Sequence, residues 1–153
     1  MKLSEILSGI SDLKAKGNID IDIKNIACDS RKVTPESLFV AIKGYDVDGH
    51  DYIEEAIEKG ASAILLENVE KLRNINLPGD VTFVITNDTR YALAISASNF
   101  YGNPSRKFKL IGITGTKGKT TTTYMIKTLL EAQGKKVGLI GTIENYIGED
   151  SLG

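Results

Sequence analysis

Between positions 112 and 121 the chain reads Gly-Ile-Thr-Gly-Thr-Lys-Gly-Lys-Thr-Thr, a turn whose residue types suit the binding of phosphate. Gly115 and Gly118 carry no Cβ, so the backbone can approach an anion closely and turn its amides inward. If a helix starts just after Gly118, its first turn adds a positive end, worth roughly 0.3–1 kcal/mol for each nearby negative charge. Lys119 would then reach the β- and γ-phosphates of a triphosphate, and the Thr120 hydroxyl would bind Mg²⁺. The strict phosphate-loop spacing needs glycine at 113, where this chain has Ile113, so the match is to a variant whose turn glycine is Gly115. A dinucleotide fold is excluded separately, because no Gly-x-Gly-x-x-Gly occurs and a loop lysine favours a triphosphate. The competing structural explanation is a plain glycine-rich turn before a threonine-rich helix. It is disfavoured because Gly-Lys-Thr falls between a predicted strand and a predicted helix.

Such a loop needs a strand before it and a helix after it. Residues 109–113 (KLIGI) read as the strand, and residues 120–133 as a helix with Met125, Ile126, Leu129 and Leu130 on one stripe, stopped by Gly134. Residues 137–140 (VGLI) read as a second strand, giving a β-α-β unit with parallel strands and a right-handed crossover. Upstream, Ile19, Ile21 and Ile23 alternate with polar residues as in a half-buried strand. Residues 37–42 (SLFVAI), 63–66 (AILL) and 81–86 (VTFVIT) are short β-rich runs that predict buried strands. A helix is predicted over 52–59, ended by Gly60. Another is predicted from an N-cap at Asp88, with Leu93, Ile95, Ala97 and Phe100 inward, ended by Gly102 and Pro104. Residues 101–107 (YGNPSRK) gather Gly, Asn, Pro and Ser and read as a linker.

The expected organisation is therefore α/β throughout: a small domain over residues 1–103, a linker over 104–108, and over 109–153 the start of a phosphate-loop domain with a parallel sheet. The last stretch is too short to cover both faces of such a sheet, so its apolar stripe is expected to be exposed. The 153 residues carry nineteen Lys and Arg against twenty Asp and Glu, a net charge of −1, so no long-range basic field drives binding to nucleic acid or anionic membrane. Cys28 is the single cysteine, which excludes an internal disulfide, and no Cys/His run has zinc spacing. No secretory signal or membrane-spanning run is present, and a cytoplasmic protein is expected.

Two polar segments follow predicted strands in the first domain, where α/β sheets tend to hold ligands. Asp29-Ser30-Arg31 follows Ile26-Ala27-Cys28, and the run from Gly44 through Tyr45, Asp46, Val47, Asp48, Gly49, His50 to Asp51 follows SLFVAI. Taken alone, Asp-Ser-Arg reads more readily as a turn or helix cap than as a site. Asp46 and Asp48 lack the further carboxylates of a calcium loop. A lone His50 reads as a loop residue bonded to backbone rather than a catalyst.

In combination the segments carry more. Asp-Ser-Arg-Lys-Val, Ser-Leu-Phe-Val-Ala-Ile-Lys-Gly, Asp-Gly-His-Asp-Tyr, Phe-Tyr-Gly-Asn-Pro, the phosphate loop and Leu-Ile-Gly-Thr-Ile, in this order, resemble the beginning of a Mur ligase of the MurE type. The resemblance covers essentially the whole chain. Gly115-Thr116 and Gly141-Thr142-Ile143 favour MurE over the neighbouring MurF type, and folylpolyglutamate-type synthetases lack a domain like residues 1–103.

The resemblance implies an ATP-dependent amide ligase of peptidoglycan precursor synthesis. Such an enzyme adds meso-diaminopimelate or lysine to UDP-N-acetylmuramoyl-L-alanyl-D-glutamate through an acyl phosphate. It also implies a uridine pocket lined by Cys28, Ser30, Tyr45, Asp46 and Val47, and an ATP loop of Gly115, Thr116, Lys117, Gly118, Lys119, Thr120 and Thr121. Lys119 and the Mg²⁺ held by Thr120 would carry the catalysis. The implied partners are the UDP-N-acetylmuramoyl-dipeptide, ATP and an amino acid, with family members usually monomeric. Lys117 stands where many members have Asn. The alternatives are a MurF-type ligase, or a non-catalytic UDP-sugar and nucleotide-binding module, the latter because the family's further Mg²⁺ ligands, carbamylated lysine and amino-acid pocket come from later chain.

Overall fold

A computed structural model describes residues 1–73, 75 and 78–152, and the chain divides into two compact units, Met1–Phe108 and Lys109–Gly153. The first begins with a short helix α1 (Leu3–Ile6), followed by strands β1 (Lys14–Lys16), β2 (Asn25–Ala27) and β3 (Ser37–Val40). Helix α2 (Ile53–Glu58) leads to β4 (Ala61–Leu66), β5 (Thr82–Ile85) and helix α3 (Thr89–Phe100). The sheet order is β1-β5-β4-β3-β2, with β2 to β5 mutually parallel and β1 antiparallel on β5.

Register explains why these runs are apolar almost without interruption. Ala27, Phe39, Ile64 and Phe83 are successive partners across four strands, and all join a cluster on one face with Ile53 and Ala56 of α2. Val40, Leu65 and Val84 form the neighbouring row on the opposite face, where Leu3 and Ile6 of α1 and Ala92 of α3 cover them. A parallel sheet covered on both faces cannot alternate apolar with polar.

The regular alternation at 19–23 does not become a strand. Ile23 is buried and Ile19 is 43% exposed, and only the single bridge Lys2↔Asp22 forms. The amides of Leu3 and Ser4 donate to the carbonyls of Ile21 and Ile19, and α1 turns away at once, so no ladder can extend. The strand is instead β2, immediately downstream. β1, with the sequence Lys-Ala-Lys and every residue exposed, gives no apolar signal at all.

Helix α3 is capped as predicted, Asp88 accepting from the Tyr91 amide at 2.9 Å. Its innermost line is Thr89, Ala92 and Ser96, with Leu93 and Phe100 packed beside it and Ile95 and Ala97 only half-buried. Small residues on this line let α3 run close to α1, where the Asn99 side chain donates to the carbonyls of Ile6 (3.0 Å) and Ser8 (2.8 Å).

The second unit holds helix α4 (Lys119–Ala132) and strands β6 (Gly138–Leu139), β7 (Tyr146–Ile147) and β8 (Asp150–Ser151), all antiparallel. Residues 109–113 form no strand, and 137–140 contribute only β6, so the predicted parallel β-α-β pairing is absent among the described residues. A parallel pair needs apolar cover on both faces, and the single helix here buries none of its residues. The antiparallel hairpin satisfies the same amides with a local turn. Tyr146 donates to Glu144 at 2.5 Å and packs edge-on against Tyr124, which fixes the hairpin to α4. Met125 and Leu129 are 62% and 63% exposed, as expected of the stripe, with Ile126 and Leu130 half-buried. No helix of the described residues is long and apolar enough to cross a membrane.

Ser96 Oγ is the one buried side-chain polar atom among the described residues without a hydrogen-bond partner. Ser96→Ala removes that unsatisfied group and favours the helix, so the variant should be more stable by about 1 kcal/mol. Thermal unfolding followed by circular dichroism checks this, and a lower midpoint would show that the hydroxyl contributes to packing.

Candidate functional site

The phosphate-loop residues are gathered by the start of α4. Gly118 is its N-cap in the left-handed region at φ +76°, and Gly115 lies at φ +154°. A Cβ on Gly118 would meet nothing within 4 Å, so glycine is required there by backbone conformation rather than space. Residues Gly115, Thr116, Lys117, Gly118, Lys119 and Thr121 are exposed, and Thr120 is half-buried. The Lys119 ammonium donates to the Gly115 carbonyl at 2.7 Å, which folds it across its own loop. The first-turn amides of α4 have no intrahelical acceptor and face outward, the arrangement that receives an anion.

The other candidates lie in the first unit, at the carboxyl ends of the adjacent parallel strands β2 and β3. Cys28 follows β2 and is exposed. Asp29 then caps a 3₁₀ turn over Ser30–Lys32, accepting from the Arg31 amide at 3.0 Å. The Arg31 guanidinium adds two bonds from Nε and one of 2.8 Å from Nη2, and together these hold the Asp29 carboxyl down at about 2. The turn-and-cap reading of Asp-Ser-Arg therefore describes Asp29 and Arg31. Ser30 is different: it is 7% exposed, and its hydroxyl donates to Glu55 Oε2 at 2.9 Å.

After β3 the chain makes a tight reversal. The Gly44 amide donates to the Val47 carbonyl, and Lys43 bridges Asp48, so Tyr45, Asp46 and Val47 form an exposed tip, with Tyr45 fully solvated. The base of this reversal is locked by His50, which is 2% exposed. Its Nε2 accepts from the amides of Glu67 and Asn68 at 3.2 Å each, just beyond β4. Nδ1 must then carry the proton, donating to Asp48 Oδ1 at 2.6 Å. Burial pushes the Asp48 carboxyl up most, but the His50 amide and ring, with Lys71 3.8 Å away, outweigh it and leave Asp48 below its ordinary value. His50 is thus the backbone-bonded loop residue the sequence suggests.

Sequence reasoning passed over Glu55 and Lys59, whose i,i+4 spacing on α2 looks like any solvated helix face. Lys59 donates to Glu55 Oε1 at 2.5 Å and to the Ser30 carbonyl at 3.1 Å. The Lys59 ammonium first, then the Ser30 hydroxyl, hold the Glu55 carboxyl below its ordinary value. Only their arrival beside Ser30, from 25 and 29 residues away, marks them out.

An α/β unit with polar loops at its strand ends is followed by a second unit in which a glycine-rich loop opens a helix. Residues 22–101 match the Mur ligase family, catalytic domain, and residues 113–152 match the Mur ligase middle domain. The chain belongs to the Mur ligase family. It is 53% identical over 152 residues to the UDP-N-acetylmuramoyl-L-alanyl-D-glutamate--2,6-diaminopimelate ligase of Clostridium tetani, covering 99% of this chain and 31% of that protein. The corresponding ligase 1 of Clostridium acetobutylicum is 50% identical over 99% of this chain and 30% of its own length. The chain therefore spans about 30% of the length of these curated relatives.

Among solved structures, one of a UDP-N-acetylmuramoyl-L-alanyl-D-glutamate--2,6-diaminopimelate ligase has TM-score 0.72 at 22% identity, over 99% of this chain and 29% of that one. This likeness establishes the α/β fold. The MurF ligase of Thermotoga maritima in complex with ADP has TM-score 0.52 at 32% identity, over 74% of this chain and 24% of that one.

The Asp29 carboxyl should titrate near pH 2 by NMR and move toward the ordinary value of about 3.9 in Arg31→Ala. Because its folded value is depressed, its contribution to stability is complete above the unfolded value and is lost as pH falls toward 2. A midpoint near 4 in the unmodified protein would show that the Arg31 fork does not persist in solution.

Proposed function

We propose that the chain is the N-terminal part of an ATP-dependent amide ligase that adds 2,6-diaminopimelate to UDP-N-acetylmuramoyl-L-alanyl-D-glutamate. The observation that carries this reading is the presence, in one chain, of the Ser30 and 44–47 loops at one sheet edge and the Gly115–Thr121 loop opening α4. Identities of 45–53% to ligases named for that reaction, over essentially the whole chain, support it. The MurF reading has less support, because the solved MurF ligases match at 27–32% identity and over only 72–74% of the chain.

In this reading Cys28, Ser30, Tyr45, Asp46 and Val47 hold the uridine end of the substrate. The exposed tip at 45–47 and the strand-end position of Ser30 suit a flat ring with polar edges. Gly115, Thr116, Lys117, Gly118 and Thr121 cradle the ATP phosphates, and Lys119 exchanges the Gly115 carbonyl for β- and γ-phosphate oxygens. Mg²⁺ would take the Thr120 hydroxyl. That hard oxygen donor fits the ion, and no group of three or more His, Cys, Asp or Glu side chains among the described residues competes for it. The metal supplies charge neutralisation on the phosphates. Lys119 does the same from the protein side and holds the γ-phosphoryl in line for transfer to the substrate carboxylate with ADP as the leaving group; the incoming amine then attacks the acyl phosphate, loses a proton and expels phosphate to leave the amide. A cytoplasmic location and a monomeric state belong to the same reading, the former because ATP is supplied there.

The 153-residue chain on its own is expected to bind and not to turn over. Titration calorimetry with the UDP-N-acetylmuramoyl-dipeptide and with Mg-ATP, alongside a phosphate-release assay, tests this; heat without phosphate is the expected result, and absence of heat from both ligands would contradict the reading. In the ligase that carries this chain, Lys119→Ala should abolish turnover and leave dipeptide-substrate affinity nearly unchanged. Surviving activity would dismiss the phosphate-loop assignment. Ser30→Ala should weaken the UDP-substrate by roughly 1 kcal/mol, one neutral hydrogen bond, and an unchanged Kd would return Ser30 to a purely local role.

A further inference from the structure

The donor side of the Ser30 hydroxyl is already used. Its Oγ lies 2.9 Å from Glu55 Oε2, and a carboxylate can only accept. The second carboxylate oxygen, Oε1, takes the Lys59 ammonium, and the same ammonium reaches the Ser30 carbonyl. Glu55 in the first turn of α2 and Lys59 at its C-cap therefore hold Ser30 by its side chain and its backbone at once. A hydroxyl has one proton and two lone pairs. With the proton committed to Glu55 and the residue 7% exposed, what Ser30 can still offer a ligand is a lone pair.

We propose that Glu55, oriented by Lys59, is a positioning residue that makes Ser30 a one-way acceptor, so that the site selects the ring N3–H of uracil over the ring N3 lone pair of cytosine. The inference rests on the reading above that Ser30 faces the nucleoside of a uridine nucleotide. Uracil carries a donor at N3 between two carbonyls. Cytosine presents an acceptor at the same atom, so a cytidine nucleotide would set two lone pairs against each other. A site built around one hydrogen-bond polarity rejects the opposite polarity strongly, because the mismatch leaves a buried group unpaired.

Glu55→Gln keeps the shape of the side chain and reverses this polarity. The Lys59 ammonium has no acceptor of its own and must face the amide oxygen, which turns the NH₂ toward Ser30 Oγ. The hydroxyl then accepts from Gln and points its proton at the ligand. Calorimetric titration of the 153-residue chain with UDP and with CDP measures the effect, with the thermal midpoint of each variant recorded alongside. The unmodified chain should bind UDP at least about tenfold tighter than CDP. In Glu55→Gln that ratio should collapse to about threefold or less, with CDP gaining as UDP loses; in Glu55→Ala, which frees the hydroxyl to rotate, it should also collapse. A merely structural role for Glu55 would weaken both nucleotides together and preserve the ratio. The proposal is overturned if both variants keep the ratio of the unmodified chain, or if that chain binds UDP and CDP equally. Binding of neither nucleotide would instead remove the uridine-site reading itself, and the selectivity with it.

Discussion

Four parallel strands with apolar side chains on both faces set the terms for the first unit. Each row of the sheet, such as Ala27, Phe39, Ile64 and Phe83, must be covered by helix, and the next row along must be covered from the opposite side. Polar groups are thereby driven to the strand ends, where backbone amides and carbonyls outrun their ladder partners. The loops after β2 and β3 leave the sheet side by side because those strands are parallel neighbours. Ser30 and the 45–47 tip thus share one edge although some fifteen residues separate them.

That edge is held by bonds that link one strand end to the next. His50 ties the β3 reversal to the amides just past β4. Glu67, whose own amide is one of those donors, accepts from the Thr89 amide (2.6 Å) and hydroxyl (2.7 Å) at the start of α3. Arg90, the next residue, returns to the Lys43 carbonyl at 3.0 Å, at the foot of the same reversal. The circuit runs from β3 to β4 to α3 and back, and leaves only residues 44–47 outside it. A loop fixed at its base and open at its tip loses little entropy on closing over a ligand. On the other side of the tip, Glu55 and Lys59 fix Ser30. The exposed side chains at this edge are few, and most of the polar side chains nearby are engaged in holding the loops in place.

Much of this is legible in the amino-acid sequence alone. The three buried strands, the Asp88 cap and the helix expected over 120–133, which forms at Lys119–Ala132, announced themselves through β-branched runs, cap chemistry and periodicity. The turn that opens α4 did so through Gly115 and Gly118. What failed did so for identifiable reasons. The alternation at 19–23 has the right residue pattern for a strand, but its pairing partner turns into α1 after two residues. Residues 109–113 have strand composition, and Leu110 and Ile111 remain 75% and 49% exposed because no neighbouring strand or covering layer meets them among the described residues. β1 has no apolar residue larger than Ala15 and exists only because β5 offers it an edge. Glu55 and His50 could not be read as partners of Ser30 and of the β4 end, since those pairings are made by the fold across 25 and 17 residues.

The central claim is that the edge after β2 and β3 receives the uridine nucleotide while the start of α4 receives the triphosphate. Backbone amide chemical shifts, followed by ¹H–¹⁵N NMR during separate additions of UDP and Mg-ATP, test it most directly. UDP is predicted to move the amides of residues 28–31, 43–48 and 55–59 and leave 115–121 unchanged, and Mg-ATP to do the reverse. UDP shifts concentrated instead at Gly60, Ala61, Asp80 and Val81, which line a cavity of about 220 Å³ at the opposite end of the strands, would contradict it.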